Sequence, residues 1–133
     1  MLDSSTHPNS PALWADVAAA LRAVHAEISW KAGKDLQHLA KRQALGHLPT
    51  TASVESYNAL IRTLAKGPGK VYRYRFRGAD YFAVQGIVHT RAWLLIFDPL
   101  GLIETAFPPD DLDHYLDARG FQYLATIAEI LSP

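Results

Sequence analysis

VYRYRFRGADYFAVQG, residues 71–86, opens with three arginines alternating with three aromatic residues. Successive side chains of a β-strand point to opposite faces. Tyr72, Tyr74 and Phe76 therefore share one face, and Arg73, Arg75 and Arg77 share the other. The aromatic face suits packing on a core. The arginine face must meet water or negative charge.

Reading outward, the same period predicts strands at Val71–Arg77, Tyr81–Gln85, Ala92–Phe97 and Leu102–Phe107. They are joined by GAD, by a longer connection around GIVHT, and by a tight DPLG turn. Upstream the period changes to that of a helix. Ser10 followed by Pro11 is a cap and a first-turn proline. Leu13, Trp14, Val17, Leu21, Val24 and Ile28 then form one apolar stripe, with His25 at its edge, expected as a packed and satisfied histidine. Gly33 breaks the pattern. A second helix, KDLQHLAKRQALG, places Leu36, Leu39 and Ala40 on one side and His38, Lys41 and Arg42 on the other. Ser53 caps a third helix with the stripe Val54, Tyr57, Leu60, Ile61 and Leu64, which KGPGK ends. Downstream, PPDDLDHYLDARG reads as a helix with acids in its first turn, and FQYLATIAEIL also reads as helical.

This order predicts an α+β fold: N-terminal helices packed on a four-stranded antiparallel sheet, with a C-terminal helical segment. Residues 1–9 are expected to be a flexible tail and residues 10–133 a single domain, which suits a chain of 133 residues. The N-terminus lacks the basic-then-apolar order of a signal peptide. AWLLIF is too short for the roughly 20 residues that span a bilayer. A soluble protein without a membrane partner is expected.

The chain has no cysteine, so disulfides, thiolate nucleophiles and sulfur-ligated zinc are excluded. Its six histidines form no close ligand pair, no phosphate-binding loop or nucleophile elbow is present, and neither metal nor cofactor is expected. The zero net charge conceals an asymmetry. Lys31 to Arg77 carries ten Lys and Arg against two acids, whereas Asp98 onward carries seven acids and one arginine. Such segregation points to a polyanion, usually nucleic acid, or to two regions that neutralise each other in the fold.

The basic helix face and the arginine strand together match the needs of RNA cleavage without a metal. The substrate's 2′-hydroxyl is the nucleophile, histidine moves protons near neutral pH, and arginine matches phosphate oxygens. The expected catalytic set is His38, Arg75 and Thr105. Lys41, Arg42, Arg73 and Arg77 are expected to bind substrate. The alternative is a non-catalytic interaction module, immunity-type or nucleic-acid-binding, that uses the same basic surface.

The succession KDLQHLAKR, SVESYNALIRTLAK, VYRYRF, YFAVQG and WLLIFDPLGLIETAFPPD resembles the C-terminal ribonuclease domains of bacterial polymorphic and contact-dependent toxins. These are the barnase, EndoU, colicin E5/D and RelE-like group. The resemblance spans about residues 34–116. His38 matches an early helix histidine and Tyr57 a helix tyrosine, which the resemblance implies binds substrate. Asp98, Gly101, Ile103, Thr105, Phe107 and Pro108 match the late strand motif that carries a catalytic threonine. Arg42 stands where such families often carry a second histidine. The resemblance implies a toxin-like endoribonuclease acting on cytoplasmic RNA such as tRNA, with an immunity protein as a second partner.

Overall fold

The computed structural model describes residues 10–132, and the expected tail at residues 1–9 lies outside them. The first helix, α1 (Pro11–Ala26), starts where the Ser10 hydroxyl accepts a hydrogen bond from the Leu13 amide. It buries Leu13, Val17, Leu21 and Val24. After a two-residue strand β1 (Ser29–Trp30), Gly33 turns the chain at φ 77° into α2 (Lys34–Ala44). A reciprocal capping box between Ser53 and Ser56 opens α3 (Val54–Lys66).

The strands that follow are β2 (Lys70–Phe76), β3 (Ala79–Val88), β4 (Arg91–Phe97) and β5 (Leu102–Phe107). They form the expected antiparallel meander. The sheet differs from expectation at both edges. β1 pairs in parallel with β5 on one side, and β6 (Gln122–Thr126) pairs antiparallel with β2 on the other. The result is a six-stranded mixed sheet in the order β1-β5-β4-β3-β2-β6. FQYLATIAEIL is therefore strand first, then a single helical turn, α5 (Ile127–Leu131), capped by Thr126. Pairing with the edge of β2 overrides its helical pattern. GIVHT is mostly strand, because β3 runs on to Val88 and turns through His89 and Thr90 alone. PPDDLDHYLDARG gives the expected helix, α4 (Leu112–Ala118), with Asp111 as its cap.

Two apolar clusters hold the sheet. The larger joins α1, α3 and α5 to Val71, Phe82, Leu95, Phe97 and Ile103. The smaller joins Leu116 of α4 to Tyr72, Ala83, Leu94 and Ile96. His25 is packed as expected, its Nε2 2.6 Å from the Ala65 carbonyl oxygen. Gly101, at φ +86°, lets the β4–β5 turn lie against α1. A Cβ there would stand 2.7 Å from the Ala23 methyl.

The aromatic face of β2 packs inward for most of its length. Tyr72 is buried and Tyr74 stacks on Phe121 at 4.2 Å, while Phe76 is exposed at the hairpin end. The negative charge that meets the arginine face is Asp80, across the hairpin. Arg73 Nη2 and Arg75 Nε each lie 3.2 Å from its Oδ1. Part of the basic segment is thus neutralised within the fold.

Candidate active site at the bulge of β5

The ladder between β4 and β5 slips once: Ile96 pairs with Thr105, but Phe97 pairs with Ile103, leaving Glu104 extra. A bulge of this kind re-aims side chains that strict alternation would send to opposite faces. Here Glu104 and Thr105, consecutive residues, both reach the β1–α2 segment. Glu104 Oε2 lies 2.6 Å from Lys31 Nζ, and its Oε1 3.3 Å from Lys34 Nζ. Thr105 Oγ1 lies 3.3 Å from His38 Nδ1.

His38 is held from its other side by Trp30, whose ring stacks at 6.1 Å with a 24° tilt. Trp30 is itself fixed by its indole N–H, which donates to Asn58 Oδ1 at 2.8 Å. The Tyr57 hydroxyl donates to the Ala106 carbonyl, tying α3 to the strand next to Thr105. His38 Nε2 is enclosed and has no hydrogen-bond partner. Nδ1 is therefore the ring nitrogen in contact with a proton-bearing neighbour.

One turn further along α2, Arg42 is only 4% exposed. Its guanidinium lies over the Phe107 ring at 5.5 Å, and Nη1 is 3.1 Å from His47 Nδ1. Arg42 Nε has no hydrogen-bond partner, and no carboxylate among the described residues pairs with the group. A buried cation without an anion is an unsatisfied charge. This corrects the expected face of α2, since Leu36 is exposed and Arg42 is buried. The ring of Phe107 and the imidazole of His47 make that burial tolerable.

These surroundings set the local titration. Burial lowers the pKa of His38, and Lys34, Arg42 and Lys41 lower it further, against the opposing charge of Glu104. Burial is the largest of these causes. Burial works to raise the Glu104 carboxyl, but Lys31 and Lys34 outweigh it and hold the pKa below the usual carboxylate value. Burial pushes the Tyr57 hydroxyl up to about 12, so it stays protonated.

The structure unites His38 and Thr105 and sets Lys41 and Arg42 beside them on α2. Arg75 does not join them. Thr105, Ile96, Ala83 and Tyr72 form one row across four strands. Arg75 is three residues beyond that row on β2. The separation is roughly 14 Å across the strands and roughly 10 Å along them. Arg73 is buried against Asp80, and Arg77 sits in the β2–β3 turn over Phe76. Tyr57 is fully buried, a positioning residue with no surface to offer a substrate. The sequence reading missed Trp30, Glu104 and Lys31. The bulge at Glu104 leaves no composition signal.

Among the described residues, no group of three or more His, Asp or Glu is placed to hold a metal ion, and no helix is long and apolar enough to cross a membrane. Compared with the known families, the curated proteins and the solved structures, the chain matches none.

Proposed function

We propose that the chain is a metal-independent endoribonuclease, with His38, Thr105 and Arg42 as its reacting site. The observation that carries this reading is the contact between His38 and Thr105, 67 residues apart, beside a buried arginine that has no carboxylate. It is also the pair singled out by the resemblance to toxin ribonucleases.

In this reading the 2′-oxygen of RNA attacks the adjacent phosphorus and the bond to the 5′-oxygen breaks. A 2′,3′-cyclic phosphate and a 5′-hydroxyl result. The 2′-proton passes to Thr105 Oγ1 as the Thr105 hydroxyl gives its own proton to Nδ1 of His38, which is neutral near pH 7, and water protonates the departing 5′-oxygen. Arg42, buried beneath the site, favours the charge developing on the phosphorane through space, in place of the Arg75 expected from sequence. Lys31 and Lys34, tied to Glu104, hold the near end of α2 against the bulge.

The enclosed Nε2 of His38 favours one second reading, a module that binds nucleic acid without cutting it. Incubation of the purified protein with total RNA in EDTA separates the two. Discrete fragments, lost in His38→Ala, support the nuclease; binding without fragments supports the module.

A further inference from the structure

Two grooves flank His47, and both are lined by His47 and Arg91. The first, about 660 Å³, opens beside Lys41, Arg42 and Arg91, with Phe107 and Tyr115 on its walls. The second, about 910 Å³, runs between α3 and the β3–β4 hairpin and is walled mainly by apolar groups, among them Leu48, Leu60, Ile87 and Trp93. Ile87 is 64% exposed, a large aliphatic side chain left open on a strand.

The charges of the first groove are uncommitted. Lys41, Arg42 and Arg91 pair with no carboxylate among the described residues. Two acids, Asp110 and Asp111, stand on the same rim. Asp111 is engaged, its carboxylate capping α4 at the His114 amide. His47 sits on the ridge between the grooves, with its ring edge-on to Trp93 at 6.5 Å. Arginine only donates, so Nδ1 of His47 accepts from Arg42 and its N–H is Nε2.

A cationic groove beside an apolar one, with a shared ridge between them, suits a nucleotide: phosphate on one side, base on the other. Single-stranded RNA presents both, with unstacked bases available to flat apolar surfaces. We infer that a single strand of RNA crosses the His47–Arg91 ridge, a phosphate lying between Lys41 and Arg91 and the adjoining base between Ile87 and Leu60 over Trp93. This substrate track rests on the reading of the chain as acting on RNA. It adds where the strand lies and which residues, none of them in the reacting pair, hold it.

The test uses a fluorescein-labelled 2′-O-methyl RNA decamer, which has no free 2′-hydroxyl and so is bound without being cut. Arg91→Ala and Ile87→Ser should each weaken its binding by roughly fivefold to tenfold at low salt, while Arg75→Ala, the same loss of charge elsewhere, should leave it within twofold. All three positions are exposed, and unchanged melting temperatures would show that the fold is intact. Addition of the decamer should shift the Ile87 methyl and Trp93 indole resonances. Equal losses from Arg75→Ala and Arg91→Ala would overturn the track, as would wild-type affinity in both ridge variants. Absence of binding would also overturn it and leave the apolar groove to a protein partner. Weakened binding by the ridge variants in a protein that never cuts RNA would support the track and sink the nuclease. Cleavage of total RNA with the ridge variants binding normally would do the reverse.

Discussion

His38 Nδ1 meets Thr105 Oγ1 at 3.3 Å because β5 bulges at Glu104. Without the extra residue Glu104 and Thr105 would face opposite ways, and only one could address α2. The bulge therefore does two jobs at once. It docks Lys31 and Lys34 through Glu104 and presents a hydroxyl to the imidazole through Thr105.

Thr105→Ala removes that hydroxyl from a half-buried position with little loss of packing. RNA cleavage should fall by roughly 10²-fold, the effect of one preorganised donor, and the melting temperature should stay near that of the wild type. His38→Ala should reduce cleavage by about 10²–10⁴-fold. Full activity in either variant would mean that the pair does not act on substrate.

Arg75→Ala should leave cleavage within about twofold of wild type, since Arg75 lies three strands from Thr105. Asp80→Asn should behave differently. It removes the carboxylate that both Arg73 and Arg75 address, one of them buried, and should lower stability by roughly 1–3 kcal/mol in denaturant titration. A large activity loss in Arg75→Ala would restore the arginine strand to the site.

The alternation in VYRYRF was legible as a strand, and its aromatic face as the packed one. The strand's arginines were legible as needing water or negative charge, but Asp80 could not be assigned before the hairpin register was known. His38 and Thr105 were both legible as chemistry, one from its cationic neighbours and one from its motif. Their approach depends on a bulge, and bulges come from tertiary packing. Arg42 was read as exposed because arginine usually is; only the position of Phe107 shows why it is not. The edges of the sheet were missed for a related reason. Two residues, Ser29 and Trp30, carry no period, and Gln122–Thr126 becomes a strand only through β2.

Three partly buried groups shape the pH dependence of stability. His38 and His47 both have lowered pKa values in the fold, chiefly through burial. The unfolded chain therefore binds protons first as pH falls. Their contribution is complete above the ordinary histidine value of about 6.5 and is lost as pH falls below it. Glu104, also lowered, adds a contribution present above the ordinary carboxylate range and lost at still lower pH. Melting temperature should fall between about pH 7 and pH 5, and His38→Gln with His47→Gln should flatten that part of the curve. A rise in wild-type stability over this interval would contradict the assignment.

Gly101→Ala should destabilise the protein by more than the roughly 1 kcal/mol of a left-handed alanine, because the new methyl would also press on Ala23 of α1. Thr90→Gly should act in the opposite sense. Thr90 is β-branched at φ 66°, and glycine relieves about 1 kcal/mol there. Thermal unfolding of the two variants checks both signs.

The central claim is that His38 and Thr105 direct the attack of a 2′-hydroxyl on its own phosphate. A DNA oligonucleotide carrying one ribonucleotide, incubated with the protein in EDTA, tests it most directly. A single cut is expected 3′ to the ribose, with a 2′,3′-cyclic phosphate on one fragment and a 5′-hydroxyl on the other, and loss of the cut in His38→Ala. Cleavage of the all-DNA strand, or persistence of the cut in His38→Ala, would contradict it.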